Sequence, residues 1–384
     1  MRSLLLLSIL PILVACTTLP ESLEIEPSPG ASARCRALVR EIPSMKAVDT
    51  LDRLSDLIAL DCKPEALRLG RWIRETYREK TYSVTRESLS VLLPEDAISE
   101  YVLESYERAY LSYVLAALEY SLGHPDRARV ELRRGYREGK ALLYNYGEDP
   151  VNVVLLATLW ETLEEPDTAR PFWMKAKALS DSTPELKGFA QKQIERLDKQ
   201  DYRQWQVQRV GTMPELDWQT KFGGGHGAGY YDIYAKKPLP GTCASETGVT
   251  ITTQPWIDKI SLRHSSNYHP LLNAKTWVRL PIGVLYGAGV VAGGVAIATV
   301  GCAAASEEGG AELCGHAVGA GVQIASHAGE MTSFAIRPDL RHWKKVPAGF
   351  VITTKNSLAE EKCTPPTPPP PKPPTNWWKS GDQL

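Results

Sequence analysis

The residues with the clearest chemistry stand at the start of the chain. Arg2 supplies a positive charge, Leu4 to Val14 is a short apolar run, Ala15 is small, and Cys16 follows it. That order reads as an export signal, and the apolar run is too short to span a bilayer. Cys16 is the thiol placed to carry a lipid, and several acyl chains hold a protein on a membrane where one only visits. Six cysteines remain, Cys35, Cys62, Cys243, Cys302, Cys314 and Cys363. An even count in an exported chain reads as a disulfide framework. Sequence alone does not fix the pairing, but locality suggests Cys35 with Cys62, Cys302 with Cys314, and Cys243 with Cys363. Each such bond contributes about 2–4 kcal/mol by restricting the unfolded chain.

Other reactive residue types assemble no site. Cys302, Cys314, His316 and His327 match no zinc spacing, and an oxidising compartment favours disulfides over thiolate ligands. Gly223–Gly225, Gly227 and Gly229 form a glycine loop without the Lys-Ser/Thr of a phosphate-binding loop and without GxGxxG spacing. It reads as a connector, and His226 within it as solvated. His264 and His269 flank a polar turn, and no Ser or Cys sits in a nucleophile elbow. No catalytic, cofactor or metal set is expected, and the chain reads as a non-enzyme. A formal charge of −1 and a pI near 6.7 give no basis for nucleic-acid binding.

The elements that would carry function lie in the middle of the chain. Residues 1–15 are the signal and 16–33 a tether with Pro20, Pro27, Pro29 and Gly30. Residues 34–209 are helical by periodicity. Val102, Tyr106, Ala109, Tyr113, Val114, Ala117 and Leu118 make one apolar stripe, and Ala128, Leu132 and Tyr136 a second beyond a turn at Gly123–Pro125. The unit repeats, because Leu122, Pro125, Asp126, Ala128 and Arg129 align with Leu163, Pro166, Asp167, Ala169 and Arg170 at an offset of 41. Proline and aspartate suit a first helical turn, and the small Ala permits close helix approach. A looser copy runs from Val48 to Tyr77, with Pro64 at the same helix start.

Residues 210–363 change character. Strands are expected at Tyr230–Tyr234, Val249–Thr253, Lys259–Leu262, Trp277–Leu280 and Phe350–Thr354. A glycine-rich segment, 282–329, reads as a buried helical hairpin closed by Cys302–Cys314. Its uncharged part, 282–305, is also long enough to enter a membrane, or to self-associate through Gly287 to Gly294. The tail, 364–384, is proline-rich and extended. The expected fold class is α+β, an α-helical repeat domain followed by a smaller mixed domain.

Three resemblances attach to these residues. Leu13-Val14-Ala15-Cys16 resembles the lipobox of bacterial lipoproteins, which implies a diacylated Cys16 at the mature N-terminus. Thr17 rather than Asp in the next position implies the outer membrane, facing the periplasm. The helix–turn–helix unit resembles the tetratricopeptide repeat, whose period is 34; the excess fits the turn-rich Tyr144 to Pro150 insertion. Taken together, the layout resembles a family of uncharacterised bacterial lipoproteins with a tetratricopeptide-like half and a mixed C-terminal half. Its carriers here are Ser112–Arg134 and the Pro338–Pro347 segment PDLRHWKKVP, of the form Asp-x-Arg-x-Trp-x-x-x-Pro. The resemblance implies envelope location and a scaffolding role. Six extra cysteines, the glycine-rich stretch and the proline tail depart from it.

Stacked helix pairs present a concave groove, and aromatic side chains are its usual anchors. Tyr106, Tyr110, Tyr113, Tyr136, Trp160 and Trp173 are the candidate groove residues, and envelope proteins the expected partners. The alternative is a structural glycine-zipper component of an envelope complex.

Overall fold

Four chain reversals share one backbone geometry. The N–H groups of Cys62, His124, Glu165 and Asp201 donate to the carbonyls five residues back, on Leu57, Glu119, Trp160 and Arg196, at 2.8, 2.9, 3.0 and 3.2 Å. The residue before each donor has positive φ: Asp61 at 57°, Gly123 at 81°, Glu164 at 62° and Gln200 at 59°. This is the left-handed helix ending that leaves few carbonyls orphaned. The computed structural model describes residues 25–40, 47–78, 101–139, 148–221, 230–245, 248–263 and 340–355, with a few helical positions between 288 and 298. Cys16, the glycine loop, His264, His269, the strand expected at Trp277–Leu280, Cys302, Cys314, Cys363, the tail and most of 282–329 lie outside the described residues.

The described helices are α1 (Ala33–Arg40), α2 (Ala47–Ala59), α3 (Lys63–Arg78), α4 (Ser105–Ser121), α5 (Pro125–Glu138), α6 (Pro150–Thr162), α7 (Pro166–Leu179), α8 (Pro184–Asp198) and α9 (Gln254–Arg263). Pro125, Pro150, Pro166 and Pro184 open their helices, where a missing N–H costs nothing. The offset of 41 holds in the backbone: Gly123 and Glu164 both have positive φ, and Pro125 and Pro166 follow two residues later. Ala128 and Ala169 are fully buried, which lets α5 and α7 approach the preceding helices closely. Helix α6 is buried at every residue from Val151 to Thr162, as its apolar composition on all sides requires.

The strands are β1 (Trp205–Val210), β2 (Leu216–Lys221), β3 (Tyr230–Ala235), β4 (Cys243–Ala244), β5 (Gly248–Thr252) and β6 (Gly349–Thr354). The larger sheet runs β1-β6-β5-β4, all antiparallel, and β2 pairs with β3. Val207, Ile352 and Val249 form one cross-strand row, and Arg209, Phe350 and Ile251 the next. Lys259–Leu262, expected as a strand, belongs to α9. The β-branched residues there follow helical spacing, so Trp256, Ile257 and Ile260 turn one buried face inward. A chain division at 209/210 cuts β1, and buried residues from Ile25 to Ile352 form one hydrophobic core.

That continuity has a chemical reason. Tyr110 of α4 lies 5.2 Å from Trp256 of α9, 5.4 Å from Trp343 and 5.7 Å from Phe350 of β6, ring centre to ring centre. Helical and sheet parts meet through these rings rather than through a linker. A disulfide joins Cys35 of α1 to Cys62 just before α3; Cys243 is also disulfide-bonded.

The reversals yield a sign test. At Glu164 a side chain sits where left-handed backbone costs about 1 kcal/mol, so Glu164→Gly is expected to raise stability by up to that amount. A Cβ on Gly123 would meet no atom within 4 Å, so Gly123→Ala carries only the backbone cost and lowers stability comparably. Urea midpoints of the two variants should move in opposite directions.

Candidate functional site

Helices α5 and α7 leave an open cleft floored by α6. From α5 come Arg133, Tyr136 and Arg137, at the spacing that puts three side chains on one helix face. From α7 come Thr168, Pro171, Phe172 and Lys175, again on one face, and Trp160 of α6 lies at the bottom. The cleft encloses about 650 Å³, within the range of ligand sites. Its chemistry is aromatic and cationic. The Tyr136 and Phe172 rings meet edge to face at 5.2 Å. The Lys175 ammonium stands 4.9 Å over the Tyr136 ring, and the Arg133 guanidinium 6.0 Å over Trp160.

Two features of this cleft lack internal complement. Lys175 pairs with Glu148, but among the described residues Arg133 and Arg137 form no ion pair. The Trp160 indole N–H is buried without a hydrogen-bond partner. Such an orphan donor costs about 1–3 kcal/mol. A second depression, about 470 Å³, lies between α7 and α8. The repeat offset brings Met174, Lys177 and Ala178 there in place of Arg133, Tyr136 and Arg137. Its Arg170 and Lys187 are already paired with Asp198 and Asp181. The second depression also holds Lys177 but no aromatic ring, so the combination of unpaired cations with an aromatic floor belongs to the first cleft.

Of the six expected groove residues, Tyr136 and Trp160 line this cleft. Tyr106, Tyr110, Tyr113 and Trp173 do not; all four are buried in the core. The α4 tyrosines are covered by the sheet part, with Tyr106 stacked on Trp256 at 5.2 Å. Trp173 packs on Phe189 and Trp205 and donates its indole N–H to Glu161 at 3.3 Å. Arg133, Arg137, Phe172 and Lys175 went unrecognised in the sequence. Their signal was there, as charged and aromatic side chains at spacings of three and four that share one face of each helix.

A separate cluster is closed rather than open. Glu107 of α4 accepts from the Tyr101 hydroxyl at 2.6 and 2.5 Å, the Glu104 N–H at 2.8 Å and the Trp343 N–H at 2.7 Å. Burial, and secondarily the Glu104 carboxylate, push the Glu107 carboxyl up to about 7. Nearby, Lys259 of α9 is buried, which lowers its affinity for a proton against the pull of Asp149, Glu104 and Glu148. Asp149 caps α6 by accepting from the Asn152 N–H at 2.8 Å, and it takes the Trp256 indole N–H at 2.9 Å. Every donor around Glu107 belongs to a buried residue, so the cluster has no face for a substrate. It is a clasp.

Among the described residues no group of His, Cys, Asp and Glu could hold a metal ion. Nor is any described helix long and apolar enough to cross a membrane. No protein-family model, no curated protein and no solved structure matches the chain. What the cleft does must therefore be argued from its own atoms.

The clasp predicts a pH dependence. A carboxyl whose folded pKa is raised stabilises fully below its unfolded value, and the contribution is lost as pH rises through about 7. Glu107→Gln keeps an oxygen for the backbone donors and cannot ionise. Between pH 5 and pH 8 the wild-type urea midpoint should fall relative to this variant. Parallel profiles would show that Glu107 does not titrate in that window.

Proposed function

We propose that the protein is a lipid-anchored scaffold of the bacterial envelope, held at the outer membrane by Cys16 and facing the periplasm. In this reading tetratricopeptide-like hairpins hold a partner protein in the α5–α7 cleft. One observation carries it: two unpaired arginines stand above an aromatic floor whose indole donor lacks an acceptor. Surface cations with nothing to pair, beside aromatic area, are the composition of a binding hot spot. The Cys35–Cys62 disulfide suits an oxidising compartment, and the lipobox supplies the anchor.

The test is made in cells with the natively lipidated chain and a photo-cross-linking residue at Thr168. Wild type should capture a defined partner. Arg133→Glu with Arg137→Glu should abolish that capture while changing stability by less than about 0.5 kcal/mol, since both side chains are exposed. An unchanged set of adducts would remove the cleft from the partner interface. Cys16→Ala should release the protein from the membrane fraction.

A further inference from the structure

We infer that the α5–α7 cleft takes an extended acidic peptide segment of a partner protein, a deepening that rests on the scaffold reading above. The cations fix the sign. Arg133 and Arg137 are one turn apart on α5, so their guanidinium groups can grip one carboxylate or two neighbouring ones. Tyr136 and Phe172 offer an apolar shelf beside them, suited to an aromatic or aliphatic side chain. Trp160 fixes the third element. Its ring floors the cleft beneath Arg133 and adds flat apolar area for a segment to lie on.

A free chain in extended conformation meets all three demands together. It carries a backbone carbonyl at every residue and sends alternate side chains to opposite sides. A glutamate or aspartate would meet the arginines, its backbone would lie over the Trp160 ring, and the next apolar side chain would meet the shelf. An anionic lipid headgroup would satisfy the arginines but brings no apolar side chain to the Tyr136–Phe172 shelf. The second depression holds Lys177 but no aromatic ring, so it offers no such shelf.

The experiment titrates the full lipidated chain in detergent with a fluorescent, end-blocked peptide alternating glutamate and phenylalanine. Its counterpart carries glutamine for glutamate. The acidic peptide should bind about tenfold or more tightly than the glutamine form, since charge-assisted bonds to arginine carry the difference. Arg133→Gln with Arg137→Gln should erase that preference. The Trp160 indole proton, followed by nitrogen-15 labelling of tryptophan, should shift on binding. Equal affinity for the two peptides, or no binding of either, would overturn the inference. Binding to phosphatidylglycerol vesicles that the acidic peptide does not compete away would overturn it in favour of a membrane surface. In each of those cases the scaffold reading is judged separately, by whether the photo-cross-linker at Thr168 still captures a protein that Arg133→Glu and Arg137→Glu abolish.

Discussion

A carboxylate taken out of water must find donors, and in this protein that requirement joins the two parts of the chain. Glu107, at the start of α4, is surrounded by Tyr101, the Glu104 N–H and the Trp343 N–H, the last from 236 residues away. Asp149 holds α9 through Trp256 in the same way. Glu161 of α6 is paired with Arg196 of α8 and accepts the Arg203 N–H at 2.9 Å, just before β1. These three buried acids sit on a helix or at its N-cap, and each is satisfied by a segment leading into the sheet or packed against it. Removing one partner of such an arrangement typically costs about 3–5 kcal/mol, because a charge is then left buried alone. The aromatic cluster around Tyr110 fills the space that these bonds enclose.

This explains which parts of the molecule were legible in the sequence. The reversals before Pro64, Pro125 and Pro166 were, because proline at a helix start is a local requirement; the one at Gln200, which no proline follows, was not. The strands at Tyr230, Val249 and Phe350 were legible for the same reason. The segment PDLRHWKKVP stood out as a motif, but nothing local could say where it goes. Its described residues, 340–347, pack on the helical part: Trp343 donates its indole N–H to Ser55 at 2.9 Å, and Lys345 bonds Asp52 and Asp56. The groove was half legible. Helical spacing identifies a face but not what covers it, so Tyr110 and Tyr136 looked alike. The sheet part covers one and leaves the other half-exposed.

The same division of labour assigns roles to the charges. Acidic groups are spent inside, where Glu107, Asp149, Glu119 and Glu161 are buried and bonded to the chain's own donors. Outside, Arg133 over Trp160 and Arg137 one turn on form no ion pair among the described residues. A chain with a net charge of only −1 thereby presents a locally positive, aromatic cleft. Local charge next to π surface, rather than global charge, sets what such a cleft attracts.

Hydrogen exchange of the protein, alone and with any protein that the Thr168 cross-linker captures, is the most direct test. The account predicts new protection concentrated at 133–137 and 168–175, with 205–210 and 349–354 unchanged. Protection confined to the sheet, with none on α5 and α7, would contradict it.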